Sequence, residues 1–463
     1  MTADLLAPPW RAPATAPLQI ATVPGKGRAF VARTDLAAGE IVQRCRAYGA
    51  IVDSQSLRRV CAHCFALPAS PDAACRPLPV ACRADCGVAF YCSAACEAGA
   101  WPRHRLIDCA LARRFFPDAA TRPAVPLLPD GRLPPWQADH PGPRNDRDWD
   151  AYTVDMIRLV MDLLVCQLKE NSGAMVDGGQ GRSGHGNGGH ENGALDPPEQ
   201  PRFCDVWNLC ANTDNFSAAR RHQFAEIAAA LAPLVVAMYA DAPWSIERAA
   251  LVQLRAPEAV AHAATRSEVT ADDRAAAWAA GIQQLILREE CNSFGLYTFH
   301  LKGPTAPRQG YAVAVYPHAV FYNHLCRPNV GHLPIPQGPT AETATAAGPP
   351  DMVFYTTMPL AAGEEACIAY MEPMSDHRQR RALLKDVFLF ECRCSVCEQS
   401  DCAAQADTAD VTAPRPDFRR DLCPVTACQG RLVPCGLIQL HSKAAAVSPS
   451  RLVCEACGTR LSL

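Results

Sequence analysis

The sequence predicts an α+β chain with zinc-built modules set into it, and three observations carry that expectation. Strand-like, helix-like and strand-like stretches follow one another in blocks, without the regular alternation of a βαβ protein and without an internal repeat. Cysteine is concentrated in two dense segments, within a total of 24 in 463 residues. Apolar residues make up 49% of the chain and charged residues 20%, the balance of a globular chain with a real core.

The first stretch, "MTADLLAPPWRAPATAPLQI", has no basic segment leading into an apolar one and is broken by prolines, so no secretory leader is expected. No apolar run is long enough to span a bilayer, so no membrane partner is expected. The net charge of −3 and the absence of a dominant block of one sign demand neither nucleic acid nor an anionic surface. A cytoplasmic or nuclear address follows by elimination. In such a reducing setting clustered cysteines read as zinc ligands before they read as disulfides.

In chain order, "GRAFVART" and "EIVQRCRAYGAIV" are rich in β-branched residues and flank the turn "DLAAGE", which predicts strands over 20–60. Residues 61–109 form a compact Cys/His block. Residues 117–148, rich in proline and polar side chains, read as loop or linker. "DAYTVDMIRLVMDLLVCQLKE" carries apolar residues at helical spacing. Residues 171–200 contain the Gly/His/Asn-rich "DGGQGRSGHGNGGHENG", expected to be disordered, with His185 and His190 as solvated linker residues. An Ala-rich helical region spans 220–290. Strands return in "GYAVAVYP", "DMVFYTTMPL" and "EEACIAYM", with a proline-rich insert at 333–350, and cysteines crowd again from 391 to 463.

In the first Cys/His block the candidate ligands are Cys61, Cys64, Cys82, Cys86, Cys92, Cys96, His104 and Cys109, enough for two tetrahedral sites. Cys75 competes with Cys82. So short a segment has little apolar surface, which leaves zinc to supply folding free energy of about 10 kcal/mol per site. Tyr91-Cys92-Ser93, with Cys96 three residues on, then Trp101 and His104, resembles a MYND-type zinc finger. The resemblance implies interleaved ligands: Cys61, Cys64, Cys92 and Cys96 on one ion, Cys82, Cys86, His104 and Cys109 on the other. The spacing departs from that family in a C-x3-C pair and an H-x4-C ending.

Four further segments, "PGKGRAFVARTDLAAGE", "ECNSFGLY", "GYAVAVYPHAVFYNHLCRPN" and "MPLAAGEEACIAYMEP", the last followed by "RRALLKDVFLFECRCSVC", together resemble a SET domain. A MYND finger set between the first of them and the rest is the arrangement of the SET-and-MYND protein family, over roughly 20–109 and 280–400. The resemblance implies SET strands at 18–60, the finger at 61–109, a proline-rich linker at 110–149, a helical insert at 150–290, the SET core at 291–375 with a knot-like threaded segment, a post-SET zinc site at 376–400 and a cysteine-rich tail at 401–463. It further implies S-adenosylmethionine as cofactor, with Gly25, Lys26, Gly27, Asn292, Asn323, His324, Tyr370 and Phe390 around it, and Tyr370 beside the transferring methyl group. Cys392, Cys394 and Cys397 supply three thiolates where a tetrahedral ion needs four, and Cys326 is the fourth by the same resemblance. Leu325 stands where relatives often carry Ser, and Phe388 where many have a second channel tyrosine.

In the tail, Cys423, Cys428, Cys454 and Cys457 suggest a ribbon-like zinc site, with Gly458 after the C-x2-C pair. The expected function is transfer of a methyl group to a protein lysine, histone or otherwise. A zinc-built adaptor with an inactive SET core, binding proline-rich peptides through the finger, is the alternative. A zinc-dependent DNA binder fits neither the ligand pattern nor the charge.

Overall fold

The computed structural model describes residues 10–68, 71–121, 125–134, 143–173, 198–298, 309–335, 348–371, 377–398, 432–434, 451–454 and 460–462. The Gly/His-rich stretch with His185 and His190 falls outside them, as do Cys423, Cys428 and Cys457. Of the tail quartet only Cys454 is described, buried on a strand. No helix among the described residues is long and apolar enough to cross a membrane.

Small sheets make one half of the molecule. β1 (Leu18–Val23) and β2 (Gly27–Ala32) form a hairpin. β3 (Ile41–Cys45) and β4 (Gly49–Val52) enter different sheets, so the stretch 40–52 holds two strands parted between Cys45 and Gly49. The finger contributes α1 (Pro71–Ala74), the short pair β5 (Val80–Ala81) and β6 (Phe90–Tyr91), α2 (Ala94–His104) and α3 (Asp108–Phe115). The helical insert follows: α4 (Ala151–Asn171), α5 (Phe203–Trp207), α6 (Ala218–Met238), α7 (Trp244–Gln253), α8 (Glu258–Ala261) and α9 (Ala271–Asn292). Asp150, Ser217 and Thr270 cap α4, α6 and α9 by accepting backbone N–H bonds, which satisfies donors that a helix start leaves unpaired.

The chain then returns to the sheets. β7 (Ser293–Tyr297), β8 (Gly310–Val315) and β4 form one antiparallel sheet; β10 (Val330–Ile335), β11 (Asp351–Thr356) and β3 form another. Between them β9 (Asn323–His324) lies parallel to β12 (Cys367–Ile368). α10 (His377–Asp386) leads to the last Cys triple. β13 (Leu432–Pro434), β14 (Arg451–Cys454) and β15 (Arg460–Ser462) make a terminal sheet, where Val433 and Val453 pack against Leu333, Ile335 and Tyr355.

Two cores result. The sheets surround one lined by Phe30, Phe321, Tyr322 and Phe354. The finger and the helices share the other, where Tyr91, Leu111 and Phe115 join Ile157, Leu164, Phe224 and Trp278. The finger therefore does not stand on zinc alone: its apolar residues are part of the helical core. The expected linker is likewise packed. α3 runs to Phe115, and Phe116, Ala119, Val125 and Leu133 are buried. Gly87 sits at φ 74°, against the Ala119 carbonyl with no room for a Cβ. Proline and polar content makes the path irregular, and the few large apolar side chains along it anchor that path to the core.

Candidate active site and metal centres

The finger's outer cluster is built on two turns. Cys61 and Cys64 share a tight turn closed by the bond from Phe65 N to Cys61 O, with Phe65 in the left-handed region at φ 56°. Ser93 caps α2 by accepting from Cys96 N at 3.2 Å, which places Cys92 and Cys96 over its first turn. The four sulfurs lie within 4.8 Å of one another, with Cys64–Cys92 at 3.7 Å and Cys92–Cys96 at 3.5 Å. A tetrahedral ion with metal–sulfur bonds of about 2.3 Å needs sulfur–sulfur edges of about 3.8 Å, so these four fit zinc.

The inner cluster joins Cys82, Cys86, His104 and Cys109, all buried. His104 Nε2 is 3.1 Å from Cys82 Sγ, 3.4 Å from Cys86 and 3.2 Å from Cys109. The set contains Cys82, while Cys75 lies outside it. His104 Nδ1 faces Asp108 Oδ2 at 3.0 Å, which leaves Nε2 free to hold metal. Asp108 is gripped from behind by Arg158 Nε at 2.7 Å, and Arg158 also donates to Val52 O and Asp155. Beside it Arg103 pairs with Asp162, and Asp162 also accepts from Ala50 N. The ion's surroundings thus reach through α4 into β4. Neither Asp108 nor Arg158 was singled out in the sequence; the i, i+4 step from His104 to Asp108 and a lone arginine in the apolar run of α4 were the available signals.

The third cluster brings Cys326 to Cys392, Cys394 and Cys397, with Cys326 Sγ 3.8 Å from Cys392 and 3.7 Å from Cys397. All three sets are thiolate-rich and of tetrahedral size, the donor chemistry of structural zinc.

"NHLCRPN" occupies the middle of this arrangement, and several of its polar groups bond to strands on either side. Leu325 N donates to Ile368 O at 2.9 Å. Asn329 sews three strands' ends together: its carbonyl accepts from Thr357 N at 2.9 Å, its Oδ1 from Cys367 N at 2.7 Å, and its Nδ2 donates to Glu365 O at 2.9 Å. His324 Nδ1 accepts from Tyr370 N at 3.1 Å, so the ring proton sits on Nε2, 3.3 Å from Cys326 Sγ. Burial pushes His324 down to about 4, so the imidazole is neutral. Asn323 Nδ2 donates to Glu365 Oε1 at 2.8 Å, and Lys26 Nζ meets the other oxygen at 2.6 Å. Burial works against the Lys26 charge, but the Glu365 bond together with the neighbouring Glu365, Cys367 and Cys392 charges outweighs it, and the pKa is raised. Glu365 was missed from sequence; it lies 339 residues from Lys26 and joins it to Asn323, a link no local pattern reveals.

Beside this strand lies a cavity of about 130 Å³ lined by Asn292, Phe294, Tyr322, His332, Tyr370 and Phe388 among others. Tyr370 Oη donates to Tyr322 O at 2.9 Å, and burial raises the phenol's pKa. The Tyr322 hydroxyl is buried with no partner. Phe388 stands 5.3 Å from the Tyr370 ring; Phe390 lies 5.9 Å from His324. Asn292 lines the cavity while its amide donates to Cys210 O and Arg288 O, both at 2.7 Å. Gly25 and Gly27 take φ of 74° and 78° with nothing within 4 Å of a would-be Cβ, an open edge of backbone next to Lys26. Of the expected cofactor residues, Asn292 and Tyr370 reach the cavity wall; Lys26 and Asn323 meet at Glu365; His324 and Phe390 lie behind Tyr370.

Residues 61–107 match the MYND finger family. The chain is a relative of the SET and MYND domain-containing proteins. A SET and MYND domain-containing protein of Dictyostelium discoideum is 28% identical over 120 residues, 26% of this chain and 24% of that one. The Mus musculus protein named histone-lysine N-methyltransferase SMYD3 is 28% identical over 120 residues, covering 26% and 23%. The Xenopus laevis protein named N-lysine methyltransferase SMYD2-A is 30% identical over 108 residues, 23% of each chain. The matched segment spans about a quarter of these relatives' own length.

Proposed function

We propose that this SET-and-MYND relative is an S-adenosylmethionine-dependent protein-lysine N-methyltransferase, with a SET-type threaded crossing at residues 321–329. The observation that carries the reading is the position of Tyr370. Its ring lies on the cavity wall while its backbone is bonded to the His324 that precedes the metal-ligand candidate Cys326. The names of the relatives point to the same chemistry.

The residues fit the cofactor. Gly25 and Gly27 leave backbone open to the methionine end, Lys26 and Asn323 offer a cation and an amide there, Asn292 adds a polar group at the cavity, and Phe390 offers a face for the adenine. The cofactor, when bound, supplies an activated methyl group on sulfur.

The chain's own part is to bring in a lysine and strip its charge. A lysine amine has an ordinary pKa of about 10.4. A cavity walled by Phe294, Tyr322, Tyr370 and Phe388 disfavours the ammonium, so the amine enters neutral. Tyr370 donates its proton to Tyr322 O and keeps its lone pairs for the amine N–H. With its pKa raised by burial, it orients the amine and does not act as a base. Phe388 adds a second apolar wall without a hydroxyl. Phe388→Tyr adds a hydrogen-bonding group that steers the amine, and the number of methyl groups on the product, read by mass, is expected to change. An unchanged product distribution would remove that role.

The deciding test is calorimetric titration of the zinc-loaded chain with S-adenosylmethionine beside Asn323→Ala. Micromolar binding that the variant loses supports the reading. Absence of binding by folded, zinc-loaded protein overturns it and leaves a zinc-built adaptor, whose substrates would be replaced by peptide partners of the finger.

A further inference from the structure

Among the described cysteines outside the three metal clusters, Cys291 lines the cavity and Cys210 lies on the loop that packs beside it. Cys291 closes α9 and lines the cavity wall beside Asn292. Cys210 is exposed on the loop after α5, and its thiol donates to Asn212 Oδ1 at 2.9 Å. The Cys291 thiol faces the same Asn212 side chain, and burial pushes it up to about 12. The two segments are already tied by a side chain, since Asn292 Nδ2 donates to the Cys210 backbone carbonyl at 2.7 Å. The loop is braced on both sides: Arg28 donates to Asn208 O at 3.1 Å and Arg288 to Trp207 O at 2.8 Å. Asn212 itself is held in the left-handed region at φ 42°, where an asparagine is among the few residues that sit readily.

We infer that Cys210 and Cys291 form a thiol pair that a small-molecule disulfide such as oxidised glutathione converts into an intramolecular disulfide at the cavity wall. The exposed Cys210, as thiolate, attacks one sulfur of oxidised glutathione; that S–S bond breaks, and the first glutathione leaves as its thiolate. Cys291 then loses its proton and attacks the Cys210 sulfur of the mixed disulfide, releasing the second glutathione. The protein loses two hydrogens and one oxidised glutathione becomes two reduced ones. The order follows from access, because Cys210 faces solvent and Cys291 is half-buried behind it. The product replaces the shared Asn212 contact by a covalent link and draws Cys291 off the cavity wall, next to Asn292. The inference does not depend on which reaction the cavity serves.

The test uses the full, zinc-loaded chain incubated with oxidised glutathione, then blocked, digested without reductant and mapped by mass spectrometry. The expected result is a peptide pair joined through residues 210 and 291, two hydrogens lighter than its parts and dissolved by dithiothreitol. Cys210→Ser is expected to abolish the joined pair and leave Cys291 unmodified, and Cys291→Ser to leave glutathione on Cys210. Both side chains lie away from the metal clusters, so the variants fold. Glutathione held on Cys210 of the unmutated chain, with Cys291 still a thiol, would overturn the inference. The mapping needs no cofactor, so a chain that fails to bind S-adenosylmethionine still answers this question.

Discussion

The two metal clusters of the finger share a donor chemistry and differ in what stands behind them. The outer one, Cys61, Cys64, Cys92 and Cys96, ranges from buried Cys61 to exposed Cys92 and rests on local turns. The inner one is wholly buried, and its histidine is backed by Asp108, Arg158 and, through Arg158, the Val52 carbonyl of β4. One ion would hold a loop together; the other would hold a loop, a helix and a sheet in register. Ligand identity alone does not tell a reader which metal site is local and which is central. The charges behind the ligands do.

The largest effect should come from breaking each site in turn. Cys109→Ser is expected to release the inner zinc and, with about 10 kcal/mol of binding free energy lost, to unfold the finger together with the core it shares with α4. Cys92→Ser also releases one zinc but should leave the helical circular dichroism in place. Zinc stoichiometry and thermal melts followed by circular dichroism read both, and equal losses of helix would erase the distinction drawn above. Next comes Arg158→Met, which takes the arginine from buried Asp108 and half-buried Asp155; a loss of about 3–5 kcal/mol is expected in urea unfolding.

Glu289, on α9, is the counter-example to those partnered charges. One of its oxygens is buried without a partner, and burial, helped by the Glu290 charge, pushes the side chain up to about 8. The folded chain keeps a proton that the unfolded chain gives up near 4.5, so stability falls as pH rises from about 4.5 to about 8 and is level beyond. Glu289→Gln should therefore be neutral at pH 4 and stabilising at pH 8, on the order of 4 kcal/mol. A variant equally stable, relative to the parent, at both pH values would contradict this. The smallest change is Asp108→Asn, which keeps a side chain at His104 but loses the charge: about 10- to 100-fold weaker metal affinity is expected at the inner site alone, by competition with a chelator.

How much was legible from sequence follows the same line between local and remote. The strands of 20–52 and the long helix from 150 were readable because spacing carries them, while the interleaved ligand sets and the Cys326 completion came through resemblance and are grouped in the same way by the structure. Asn323, His324 and Tyr370 were readable as a group only through resemblance, and the structure places them together around one short parallel pair. What escaped were the partners supplied from afar: Arg158 behind Asp108, Glu365 between Lys26 and Asn323, and Asn329 as the knot of three hydrogen bonds. The segment 110–149 escaped for a different reason. Average composition marks it as loop, while Phe115, Phe116 and Leu133 pin it to the core one side chain at a time.

The Lys26–Glu365 pair and the Cys326 cluster have a consequence for the order in which the molecule is made. Both finger sites draw all their ligands from residues 61–109, so they can close while later residues are still being added. The cavity side cannot. It needs Lys26 to wait for Glu365, and Cys326 for Cys397. A ribosome delivering about 5–20 residues each second would leave the β1–β2 hairpin without its bridge from Val31 to Glu365 for tens of seconds. Over that interval a metal-loaded finger would be the first finished part of the nascent chain, and the apolar faces of the early strands would be its most exposed surface to a chaperone.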